Sequence, residues 1–113
     1  MFRRMKLTIL PTKNSAIRCL RIEGDFDLYT APALSRRIQE TQATWKHLHL
    51  DLDGVRYLDS SGVGAIIRLL QACKSSGREL TFSGIQGSPR KVLQMSNILA
   101  LLTEVQLTQV SPS

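Results

Sequence analysis

Aromatic side chains are scarce in this 113-residue chain: three Phe, two Tyr and one Trp. So few stacking surfaces argue against a protein that grips nucleic-acid bases. Cysteine is rarer still, and Cys19 and Cys73 stand in no metal-ligand or redox spacing. They read as small apolar residues of a protein kept in a reducing cytosol. No apolar run approaches the ~18 residues that span a bilayer, which excludes a membrane helix. The basic start MFRRMKLTILP offers only LTIL before Pro11, too little for the apolar segment of a signal peptide. Repeats, linkers and low-complexity tracts are missing too. A single domain over 1–113 is the expectation, with its core at about 5–105 and a short frayed tail.

What is present begins with charge. The net charge of +6 is unevenly spread. Residues 1–22 carry six bases and no acid, whereas 23–59 hold seven acids against four bases. The acids gather in EGDFD (23–27) and in DLDGVRYLD (51–59). A basic protein of this size is a candidate for nucleic acid or anionic lipid. The bases form no dense run with interleaved aromatics, so solubilising charge is the better reading, and neither nucleic acid nor membrane is an expected partner.

Periodicity supplies the elements. MKLTIL (5–10) and AIRCLRIE (16–23) read as a hairpin around PTKNS. Thr30 before Ala31-Pro32 starts a helix reaching about Ala43, with Leu34 and Ile38 inward. HLHLDLD (47–53) alternates, Leu48, Leu50 and Leu52 on one face, His47, His49, Asp51 and Asp53 on the other. A helix follows from Ser61 to Ser76, with Val63, Ile66, Ile67 and Leu70 as its apolar stripe and Gly77 at its end. LTFSGI (80–85) is a short strand, and a third helix opens at Ser88-Pro89, with Val92, Leu93, Ser96 and Leu99 inward. Asn97 near its end suits a left-handed residue, and 103–110 read as a last edge strand. Alternating strands and helices imply parallel pairing with right-handed crossovers. A central strand that is polar on one face implies helices on the other face only. The expected fold is therefore two-layer α/β: a mixed, mostly parallel sheet of four to five strands with helices packed on one side.

In that layout the two acidic clusters leave neighbouring strands at the sheet edge where open parallel sheets meet ligands and partners. The second reads YLDSSGVG (57–64). Asp59 or Ser60 serves as a helix cap in the plainest reading. A phosphate cradle is excluded, because there is no G-x-x-x-x-G-K-[ST] and carboxylates would repel the anion. A nucleophilic serine is excluded as well, because no G-x-S-x-G elbow is present and His47 and His49 lie a strand away. His47, His49 and Asp51 as a metal set is disfavoured, since such sites need tighter convergence, and no metal or cofactor is expected. Modification of Ser60 stays open: a phosphate would add nearly two negative charges beside a helix N-terminus.

GDFD (24–27), a helix opening in TAP, an apolar strand, L-D-S-S-G-V-G (58–64), and then SPRKVLQMSNI (88–98) together resemble the STAS domain of bacterial anti-sigma factor antagonists. The resemblance covers roughly residues 5–105 and implies a cytoplasmic binding module, not an enzyme. By position it makes Ser60 the acceptor of phosphate from a serine-kinase anti-sigma factor, with a PP2C-type phosphatase resetting the switch. Asp27 would lie close to that acceptor, and Asp25, Asp27, Asp59, Ser61, Gly62 and Val63 would form the docking surface. STAS domains also serve as cytosolic subunits of lipid-transporting ABC systems. That is the alternative function, and a basic nucleic-acid-binding domain is the remaining one.

Overall fold

The alternation in HLHLDLD sets the architecture, because it gives the central strand one apolar and one polar face. In the computed structural model, which describes residues 5–40 and 45–105, that strand is β3 (His47–Leu58). Its neighbours are β2 (Ile17–Phe26) and β4 (Glu79–Ser83), both parallel to it. β1 (Met5–Leu10) closes one edge antiparallel to β2, as the hairpin pattern predicts, and the two-residue β5 (Thr103–Glu104) closes the other parallel to β4. The sheet order is β1-β2-β3-β4-β5. Three helices connect the parallel strands: α1 (Ala31–Glu40), α2 (Ser60–Ser75) and α3 (Gly87–Met95). Each strand is added beside the previous one in the same direction, so right-handed crossovers bring every helix to the same face.

That face holds the core. Leu20, Ile22, Leu48, Leu50, Leu52, Leu80 and Phe82 of the sheet form one buried cluster with Leu34 of α1, Val63 and Ile66 of α2 and Leu93 of α3. The apolar stripe of α2 departs from expectation. Ile67 is 37% exposed and Leu70 half-buried, while Leu69 and Cys73 are buried. Residues 63, 66, 69 and 73 face the core, so the helix is rotated slightly from the phase its aliphatic residues suggest. In α3, Leu93 is buried but Ser96, expected inward, is exposed. Asn97 does adopt the left-handed conformation, at φ 59°. The expected extension of α1 to Ala43 and of the last strand beyond Val105 lies outside the described residues.

The helix-free face is polar but not open. His49 is fully buried and Asp51 nearly so. Across this face the register aligns Cys19, His49 and Thr81 in one row and Arg21, Asp51 and Ser83 in the next. His49 Nδ1 and His47 Nε2 share the Thr81 hydroxyl at 2.7 and 2.6 Å, and His49 Nε2 reaches the Ser83 hydroxyl at 2.8 Å. Arg21 Nε donates to Asp51 at 2.8 Å. Hydrogen-bonded side chains from three strands therefore seal a surface that the sequence predicts as uncovered. Burial pushes the Cys19 thiol up to about 11, with the Asp51 charge adding to it, which fits the unreactive role expected of this cysteine.

Candidate docking site at the tip of β2 and β3

Two strands run on where the rest of the sheet stops. Pairing between β3 and β4 ends at Asp51 with Ser83, yet β2 and β3 continue together through Gly24 with Val55, Asp25 with Tyr57 and Phe26 with Leu58. Sequence reasoning ended both strands earlier, because glycine and acidic residues in EGDF and DGVRY resemble loops. Two irregularities, at Arg21/Glu23 and Gly24/Asp25, absorb these residues without breaking the ladder. The ribbon carries the two acidic stretches to one tip, as the parallel pairing predicts.

At that tip α2 starts at once. Asp59 is its N-cap, with Oδ1 accepting from the amides of Ser61 at 2.9 Å and Gly62 at 3.2 Å. Gly62 explains why the turn closes so tightly. A Cβ there would stand 2.4 Å from the carbonyl oxygen of Phe26 and 2.5 Å from Leu58 Cδ1. Any side chain would push α2 away from the end of β2. The Asp59 amide also points to the Phe26 carbonyl, at 3.4 Å. The second loop is thus fastened to the first.

The first loop is organised around Asp27, and here the structure corrects the sequence. Asp27 is expected in the docking surface, yet it is 2% exposed. Its Oδ1 accepts from the amides of Tyr29 at 2.9 Å and Thr30 at 3.2 Å. The hydroxyl of Thr30, predicted to cap α1, turns back into the loop: it accepts from the Asp27 amide and donates to the Asp25 carbonyl at 2.7 Å. Asp27→Ala is therefore expected to cost about 2 kcal/mol by stranding buried amides, a loss that urea unfolding would read directly.

Burial sorts the remaining expected site residues. Ser60 is exposed and Ser61 half-buried, and both line a groove between α1 and α2 of about 580 Å³. Asp25 is half-buried. Gly62 and Val63, expected as contact residues, are buried, Gly62 against Phe26 and Leu58 and Val63 in the core. They shape the surface without presenting one. Two contact candidates escaped sequence reasoning. Leu28 is 63% exposed and Tyr29 76% exposed, the flank of the loop that Asp27 holds. Leu28 lines the same groove as Ser60, and Tyr29 follows it in the loop. Their apolar character in an acidic loop was the available signal. Arg36 and Arg68 complete the groove. They come from α1 and from two turns into α2, and no motif links them to Ser60.

Similarity to known proteins agrees with this fold. The anti-sigma-B factor antagonist of Staphylococcus aureus (strain NCTC 8325 / PS 47) is 24% identical over 107 residues, covering 94% of this chain and 99% of that protein. Among solved structures, the anti-sigma factor antagonist SpoIIAA in its unphosphorylated form has a TM-score of 0.75 at 16% identity, covering 94% of this chain and 91% of that one. The Bacillus cell fate determinant SpoIIAA in the phosphorylated form gives 0.68 at 16% identity, over 94% and 95% of the two chains. The five-stranded, mostly parallel sheet with its helices is the fold of these structures. Residues 8–111 match the STAS domain, and the chain belongs to that family.

Proposed function

We propose that this protein is an anti-sigma factor antagonist: a non-enzymatic binding module that docks on a serine-kinase anti-sigma factor, frees the sigma factor, and is released by phosphorylation of Ser60. The observation that carries the reading is the arrangement at the tip. An exposed serine stands at the start of a helix fastened to an adjacent loop, and that loop presents Leu28 and Tyr29 to solvent. Similarity to an anti-sigma-B factor antagonist and to SpoIIAA supports the same reading. On this reading the protein works in the cytoplasm with its partners, and among the described residues no helix is long and apolar enough to cross a membrane.

In this mechanism the unmodified tip binds through Leu28, Tyr29 and the half-buried Ser61 beside them, and leaves the Ser60 hydroxyl free to react. The kinase then brings its bound ATP to Ser60. Ser60 Oγ forms a bond to the γ-phosphorus, the bond from that phosphorus to the bridging oxygen of ADP breaks, and the hydroxyl proton leaves to a base on the kinase. A PP2C-type phosphatase restores the serine by hydrolysis, releasing inorganic phosphate. Asp59 and Asp27 act as positioning residues, since both spend a carboxylate oxygen on backbone amides that hold the two loops.

Competition tests the reading. The unmodified protein, titrated into a preformed complex of the kinase anti-sigma factor with its sigma factor, is expected to release the sigma factor. Tyr29→Ala is expected to weaken that docking by about 1–2 kcal/mol, and Leu28→Ala by about 1 kcal/mol, with unchanged unfolding midpoints. Isothermal titration calorimetry checks both. Full-strength binding by the double variant would move the docking surface elsewhere.

A further inference from the structure

Two arginines line the same groove as Ser60 and pair with no carboxylate among the described residues. The ion pairs among the described residues are Arg21 with Asp51, Arg37 with Glu40 and Arg90 with Glu104, and His47 Nδ1 lies 3.7 Å from Glu79. Arg36 and Arg68 belong to none of them, and both are exposed in the groove that Ser60 lines. Of the nearby acids, Glu40 lies one turn beyond Arg36 on α1 and pairs with Arg37, outside the groove. Asp27 is buried behind its loop, Asp59 accepts from α2 amides, and neither lines the groove.

The position of Arg68 is set by the helix. Residues 60, 64 and 68 are four apart and so lie along one face of α2. The middle residue is Gly64, and Arg68 Nη1 lies 3.3 Å from the point where a Cβ on Gly64 would stand. Arg68 thus leans back along the helix over a residue with no side chain, the usual direction for a long helical side chain. Its guanidinium sits one turn, about 6 Å along the axis, from Ser60. The amides of Ser61 and Gly62, which would otherwise receive an anion at the helix start, are already occupied by Asp59 Oδ1. An added anion falls to the guanidiniums.

We propose that the phosphate on Ser60 is captured within the same chain by Arg68, with Arg36 closing on it from α1. This rests on Ser60 as the phosphate acceptor and changes how the switch works. The modification does not simply make the tip more negative. It fills the groove, ties α1 to the start of α2, and withdraws two unpaired cations from any carboxylates of the docking partner. A phosphomonoester and a guanidinium make the bidentate, charge-assisted contact that such a capture needs.

The test uses the full chain with phosphoserine installed genetically at position 60, so that it depends on no kinase. Two readouts are expected. The melting temperature rises by a few degrees, roughly what a small-domain gain of this size gives. The second ionisation of the phosphate, followed by phosphorus NMR, moves below its ordinary value of about 6. Both changes shrink in Arg68→Gln and, less strongly, in Arg36→Gln, whose unmodified forms melt like the parent. A phosphate ionisation at or above its ordinary value, or shifts of equal size in the arginine variants, overturns the capture. If capture is observed but a kinase partner labels another residue, the capture stands and the function proposed above fails.

Discussion

Ser60→Ala is expected to abolish phosphate incorporation by the kinase partner while leaving docking at full strength. The argument rests on accessibility and on what the hydroxyl does in the fold. Ser60 is exposed at the first position of α2, and the cap of that helix is supplied by Asp59. Removing the hydroxyl therefore costs the fold little, within the ±0.5 kcal/mol of an ordinary surface change. The variant should bind its partner persistently, because the step that releases it is gone. Ser60→Asp adds one charge where phosphate adds nearly two. A charge that must be desolvated in a docked interface is expected to weaken binding by about 1–3 kcal/mol, roughly 5- to 150-fold. Equal binding by the two variants contradicts the switch.

Acid should unfold this protein early, and His49 is the reason. The imidazole is fully buried on the helix-free face between Thr81 and Ser83. Burial lowers its pKa from 6.5 to about 4; the neighbouring His47 adds to the effect and Asp51 opposes it. The unfolded chain takes up a proton as pH falls through 6.5, whereas the folded chain resists until about 4. Stability is thus fully present above pH 6.5 and is lost as pH falls from there towards 4. The loss is on the order of 3 kcal/mol, a large share of a small domain's total. Urea titrations at pH 7 and pH 4.5 measure it. His49→Gln keeps a hydrogen-bonding side chain but has no proton to gain, so it should flatten this part of the pH dependence. Equal slopes for the parent and the variant would show that His49 does not control it.

These two residues also mark what the sequence made legible. The strands and helices followed from period-2 and period-3.6 spacing, and Ser60 was singled out by the resemblance of L-D-S-S-G-V-G (58–64) to the STAS motif. Local pattern could not supply the polar burial. Asp27, His49 and Asp51 look like surface residues, and the groups that satisfy them are loop amides, Thr81 with Ser83, and Arg21. Apart from the loop amides beside Asp27, these partners lie about thirty residues away. Helix phase was uncertain for a similar reason. Ile67 and Leu69 are both aliphatic, and only contact with the sheet decides that Leu69 goes inward. The groove beside Ser60 was illegible because Arg36 is brought to it by the packing of α1 against α2 and by no sequence spacing.

Phosphosite mapping tests the central claim most directly. The purified protein is incubated with its kinase anti-sigma factor and ATP, and the phosphopeptide spanning 57–68 is fragmented to place the modification. Ser60 and Ser61 share the groove, differ in exposure, and are one residue apart, so the experiment is its own control. The account predicts phosphate on Ser60 alone, with none in Ser60→Ala. Phosphate on Ser61 with Ser60 unmodified would contradict it.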